Sequence, residues 1–359
     1  MLKRIAPHSL SVVLLYAAVP AFCQANYQAN LTATSNYIAT QQLADGAILT
    51  SSTEIDPYFA NYAAIGWIKD DKLSRISDVE SWINWYIDHF NWPDARGLYG
   101  TVYNYTYDPS TGVETSTGTY DSADAYAATF LQLIEALWNT NNAGAQSFIK
   151  NTIGEYDLNV VGNIITDLQQ SNGLVYVEPN YKVEYLIDNA EDWAGLEAFA
   201  NLAYQAWDDT DTQSWYQAHA SGIQSGIQNV LYIPSTKLYY PYAGSSAPNM
   251  STFYPDAVSQ LWPGLQGAVT GAQANTSYTK FDAAWPGWTS LSFDTKSNPF
   301  PWCAISYAAF LAGDTRSVSN YIFTIQNKYV DVAPAFPWPF YPGEGGWFMR
   351  TNAAMGGLK

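Results

Sequence analysis

The sequence predicts an all-α fold in which six helical hairpins close into one (α/α) toroid, with a small β-hairpin inserted near 97–120. Three observations lead there. Six strongly apolar segments recur with helical spacing, six more polar helical segments alternate with them, and no low-complexity linker divides residues 26–359. Hydrophobic residues make up 48% of the chain and charged residues 13%, which predicts a folded core and excludes a disordered tail.

Taken in order, a polar helix at 30–45 precedes the first apolar one at 57–69, which is entered through Pro57. A polar helix at 75–91 follows, then the aromatic and polar alternation of 97–120 around Asp108-Pro109-Ser110, which reads as a β-hairpin placed to wall a groove. Ala127, Phe130, Leu131, Ile134 and Leu137 fall on one helical face and mark the second apolar helix. The polar partner lies at 145–170, and a short strand is expected at 173–177. Leu196, Phe199, Ala200, Ala203 and Trp207 define the third apolar helix, with 210–231 as its partner and a strand at 237–241. Val258, Leu261, Trp262 and Leu265 give the fourth, followed by 274–286. The fifth and sixth, at 302–313 and 345–357, flank the polar stretch 315–329.

Amphipathic helices of two kinds bury their faces most completely when the apolar members form an inner ring and the polar members cover it. All inner helices then run in one direction. Their starts, near 55, 122, 190, 255, 301 and 344, meet at one end and share one cavity.

Charge narrows what that cavity takes. Lys and Arg number 15 against 32 Asp and Glu, a net −17 that repels nucleic acid and anionic membrane surfaces. The body has no apolar run of the length that spans a bilayer, so no membrane insertion is expected. Residues 1–25 are the exception: Lys3 and Arg4, then the apolar run Val12 to Phe22 and small residues about Cys23 to Ala25, read as an export signal, which implies a secreted or periplasmic protein. Beyond it the chain holds one cysteine, Cys303, and two histidines, His89 and His219, so neither a metal site nor a cofactor is expected. A monomer is expected.

Acids crowd the predicted inner-helix starts. Glu54 and Asp56 precede the first, Asp121 and Asp124 open the second, Asp188, Glu191 and Asp192 the third, Asp256 the fourth and Glu344 the sixth. Carboxylates suit helix N-termini in any protein. Their company is more specific, because Tyr120, Trp193, Tyr254, Trp262, Trp302, Trp338 and Trp347 stand at the same starts. Sugar rings stack on aromatic faces, while carboxylates accept hydroxyl hydrogen bonds and transfer protons. Glycoside hydrolysis needs one protonated carboxyl and one ionised carboxylate on either side of the scissile bond.

Three segments, Tyr120-Asp-Ser-Ala-Asp, Asp188-Asn-Ala-Glu-Asp-Trp and Tyr254-Pro-Asp-Ala, resemble inner-helix motifs of six-hairpin glycosidases. The likeness is nearest to glycoside hydrolase family eight, the bacterial endoglucanase group. That resemblance implies an inverting mechanism, with Asp256 as base, Asp121 or Asp124 gripping the central sugar, and Glu54 or Asp56 as acid; Glu191 is the alternative acid, because Asp188 and Asp192 nearby would raise its carboxyl. Tyr120, Asp188, Asp192, Trp193, Tyr254, Trp262, Trp302, Glu344 and Trp347 would line the substrate groove. The expected substrate is a neutral or weakly charged polysaccharide or oligosaccharide. Alternatives from other classes are a non-catalytic glycan-binding protein on the same fold and a polysaccharide lyase with a tyrosine base.

Overall fold

A computed structural model describes residues 26–70, 73–293 and 299–358. The expected export signal lies outside the described residues. Within them the chain is mostly helical, and the alternation of apolar and polar helices is that of a six-hairpin toroid.

The inner ring comprises α2 (Pro57–Ile68), α4 (Ala123–Trp138), α7 (Leu186–Trp207), the broken segment ending in α9 (Trp262–Leu265), α11 (Cys303–Leu311) and α13 (Pro342–Met355). The outer layer comprises α1 (Tyr27–Thr40), α3 (Ile76–Asp88), the pair α5 (Ala143–Phe148) and α6 (Gly154–Leu168), then α8 (Thr210–Gly226), α10 (Gly271–Ala284) and α12 (Thr315–Ile325). Inner helices are buried on nearly every side: in α13, Pro342 to Met349 are all buried. Outer helices bury one stripe, as in α12 through Val318, Tyr321, Ile322 and Ile325.

Backbone contact closes the ring. A Cβ on Gly346 of α13 would lie 2.0 Å from the Tyr62 carbonyl oxygen of α2, and one on Gly66 would lie 2.4 Å from Gly346 Cα. Only glycine permits that approach. The first outer helix then covers the last inner one, with Asn30 Nδ2 donating to Asn352 Oδ1 at 3.0 Å.

The β-hairpin forms from β2 (Tyr105–Asp108) and β3 (Val113–Ser116), turning at Asp108, whose Oδ1 accepts from the Ser110 amide at 2.8 Å. A third strand, β1 (Glu54–Ile55), pairs antiparallel with β2 and ties the hairpin to the entrance of α2. The pair β4 (Tyr232–Ile233) and β5 (Leu238–Tyr239) matches the expected strand at 237–241. The strand expected at 173–177 is only a bridge between Gln169 and Val175.

Two inner helices depart from expectation. The third begins at Leu186, earlier than near 190, because Leu186 is itself buried and extends the apolar face by one turn. The fourth is a π-turn at Phe253–Ala257 followed by the short α9. Tyr254, with φ −120 and ψ 135, is extended because it precedes Pro255, which excludes the helical conformation.

Candidate active site

One cavity of about 700 Å³ opens where the six inner segments begin, and every one of them contributes to its wall. Asp56 and Tyr58 come from α2, Asp121 and Ser122 from the entry to α4, and Asp188 from the first turn of α7. Tyr254 and Pro255 come from the π-turn, Trp302 from the entry to α11, and Glu344 and Trp347 from α13. Seven tyrosines and three tryptophans line it, and among the described residues no lysine, arginine or histidine does.

Asp56 caps α2, its Oδ1 accepting from the Tyr58 amide at 3.0 Å. Burial outweighs those backbone donors and pushes its carboxyl up to about 7. Asp121, at the rim, is the exposed acid of the group.

The acids of α7 form a graded series. Asp188 lines the cavity, and burial, with Asp121 beside it, raises its carboxyl to about 7. One turn deeper, Glu191 Oε1 accepts from Tyr58 Oη at 2.7 Å, Tyr62 Oη at 2.6 Å and Trp262 Nε1 at 2.8 Å. These three donors face the cavity, and Glu191 stands directly behind them. Its Oε2 has no partner, and burial, then the charge of Asp188, raises it to about 8.

Deepest are Asp124 and Asp192, each fully buried. Neither oxygen of Asp192 has a hydrogen-bond partner; burial, then the charge of Asp124, drives Asp192 well above the usual range, and burial, then the charge of Asp188, does the same to Asp124. Two such groups side by side cannot both ionise, so the pair holds a proton. Ser122, the N-cap of α4, donates to Asp124 Oδ1 and lies 3.4 Å from Asp188 Oδ2, which joins this buried pair to the cavity acid.

Glu344 sits on the other side. Its Oε1 accepts from the Trp302 amide at 3.1 Å and its Oε2 from the Cys303 amide at 2.6 Å, so it supplies the N-terminal cap that α11 lacks of its own. Burial lifts its carboxyl to about 7. In the order of inner segments α7 is third and α13 sixth, so Asp188 and Glu344 come from opposite walls of the ring.

The structure therefore gathers Asp56, Asp121, Asp188, Tyr254, Trp262, Trp302, Glu344 and Trp347 around one cavity and sets Glu191, Asp124 and Asp192 behind its wall. Four expected site residues lie elsewhere. Glu54 is exposed on β1 and faces a smaller recess beside the sheet. Tyr120 donates to Asp94 Oδ2 at 2.7 Å beneath the Arg96 guanidinium, a packing role. Trp193 turns away to lie against Gly267. Asp256 is absent from the cavity lining, because the turn presents Tyr254 and Pro255 there in its place. Tyr58 and Tyr62, the partners of Glu191, escaped the sequence reading; their spacing of four along an apolar helix was the available signal.

Among the described residues no group of three or more His, Cys, Asp or Glu is arranged to hold a metal ion. No described helix is long and apolar enough to cross a membrane.

No family model matches the sequence, and no curated protein does. Solved structures match the fold over most of the chain. A glycosidase variant in complex with glucose is 12% identical with a TM-score of 0.66, covering 93% of this chain and 98% of its own. A reducing-end-xylose releasing exo-oligoxylanase variant complexed with xylobiose is 11% identical with a TM-score of 0.56, covering 91% and 92%. The fold is that of the six-hairpin glycosidases. At these identities the likeness establishes architecture, and the chemistry has to be argued from the cavity itself.

Proposed function

We propose that the protein hydrolyses glycosidic bonds of a neutral or weakly charged oligosaccharide or polysaccharide, using carboxyls contributed by opposite walls of the toroid. The observation that carries this reading is the pairing of Asp188 on α7 with Glu344 on α13 across a cavity lined by aromatic rings, with no Lys, Arg or His among its described lining residues. Asp188, its carboxyl raised to about 7, is the proton donor to the glycosidic oxygen. Glu344, oriented by two backbone amides, takes a proton from the water that attacks the anomeric carbon. The C–O bond to the leaving sugar breaks as the new C–O bond to water forms.

Carboxyls on opposite walls of one cavity of about 700 Å³ suit inversion, which takes groups about 6.5–9.5 Å apart. Glu191, neutral below about 8, and the Asp124–Asp192 pair stand behind Asp188 and keep protons stored close to it. Asp121 and Asp56 accept sugar hydroxyls, and Tyr254 and Trp302 offer ring faces for stacking, with the buried Trp262 and Trp347 behind them. The family-eight resemblance would put the base on Asp256, and the cavity lining favours Glu344 for that role. A lyase acting on uronates would require cations, and the described lining residues include none. Export through residues 1–25 suits an extracellular glycan.

The test is release of reducing ends from a panel of neutral polysaccharides. Wild type should release them. Asp188→Asn and Glu344→Gln should each lose about 10²–10⁴-fold in rate while still binding the same glycan. Binding without any release by wild type would identify a glycan-binding protein.

A further inference from the structure

A second recess of about 290 Å³ lies beside the three-stranded sheet, and it shares Asp56, Phe59, Phe300 and Tyr341 with the main cavity. We infer that it is a further sugar subsite, continuous with the cavity, which holds outlying residues of a neutral glycan chain; this rests on the hydrolase reading.

Its platform is Trp338, 65% exposed, a large apolar surface left open to water at the recess. The ring is braced, not loose. Phe300 meets it edge-on at 5.7 Å and 82°, and Tyr341 lies 6.4 Å away at 36°. An exposed, braced indole at the mouth of a groove is suited to stacking with the C–H face of a sugar. The facing wall is polar: Ser51, Asn104, Thr106 and Thr117 present hydroxyl and amide groups. Glu54 and Asp56 are the only charged residues on it among the described ones, which favours hydroxyl-rich neutral chains over acidic ones. The sheet thus has a purpose beyond packing, since β1 carries Glu54 into the recess and β2 carries Tyr105 and Thr106.

The test is titration calorimetry with glucan and xylan oligosaccharides from dimer to hexamer, in an Asp188→Asn background that leaves the chains intact. Affinity should rise with length in the parent. Trp338→Ala should weaken hexamer binding about tenfold and dimer binding less than about twofold, and Trp338→Phe should restore most of the loss. Equal loss at every length, no loss with the hexamer, or a parent that binds hexamer no tighter than dimer would each overturn the subsite. Reducing-end release by wild type is read alongside. Length-dependent binding that Trp338→Ala abolishes, with no release by wild type, would refute hydrolysis and leave the subsite standing.

Discussion

Tyr62 on the first inner helix donates a 2.6 Å hydrogen bond to Glu191 on the third. The bond ties the two inner helices together at the cavity wall, and Gln266 Nε2 extends it by donating to the Tyr62 hydroxyl at 2.9 Å. Removing the hydroxyl strips one of three donors from a buried carboxyl and orphans Gln266. Tyr62→Phe should therefore cost about 1–3 kcal/mol in urea unfolding. Glu191→Gln should cost far less at pH 6, because a side chain raised to about 8 is already neutral there. A loss above about 3 kcal/mol for Glu191→Gln would mean that Glu191 is ionised in the folded protein.

Stability should fall as pH rises. Asp56, Asp188 and Glu344 are raised to about 7 and Glu191 to about 8, from ordinary values of 3.8 and 4.5. Between those limits the unfolded chain has released protons that the folded chain retains, so the folded state loses ground with each step toward alkali. Asp94 and Asp314 are lowered in the folded state, and their contribution is lost only below the unfolded value of 3.8. Thermal unfolding should accordingly peak near pH 4–5 and decline to pH 8. A Tm that rises over that span would contradict the raised carboxyls.

Asp192→Asn isolates the buried pair. It removes one strongly raised carboxyl, so the decline of Tm between pH 5 and 8 should become shallower while Tm at pH 5 changes little. An unchanged slope would show that Asp124 and Asp192 do not share a proton.

Gly346→Ala tests ring closure. Its added methyl would fall 2.0 Å from the Tyr62 carbonyl, so α13 and α2 must separate, with a cost of roughly 3 kcal/mol or more. A stable variant with wild-type Tm would mean the two helices are not packed as described.

Most of the architecture was legible in the sequence because inner and outer helices carry different patterns. Leu131 and Ile134 mark a helix buried all round, whereas Val318, Tyr321 and Ile322 mark a single stripe. The third strand of the sheet was not legible, since β1 is two residues long and is defined only by its pairing with β2. At the site, acids at helix starts pointed to the right end of the barrel, but not to which of them face inward. Asp256 illustrates the limit. One proline and a π-turn rotate Tyr254 and Pro255 into the wall, and a motif spacing carries no information about that rotation. The role of Glu344 was hidden for a related reason: it caps α11, a helix about forty residues away along the chain, so its partners, the Trp302 and Cys303 amides, could not be inferred locally.

The most direct measurement is the pH profile of kcat/KM for reducing-end release, taken for wild type and for Asp188→Asn with an aryl glycoside whose leaving group needs no protonation. With Asp188 and Glu344 both raised to about 7, wild type should give a narrow bell, falling toward alkali as the donor deprotonates and toward acid as the base protonates. Asp188→Asn should keep most of its rate on the aryl substrate and lose the alkaline limb. Retention of that limb, or full activity of Asp188→Asn on the polysaccharide, would contradict catalysis by opposed carboxyls of α7 and α13.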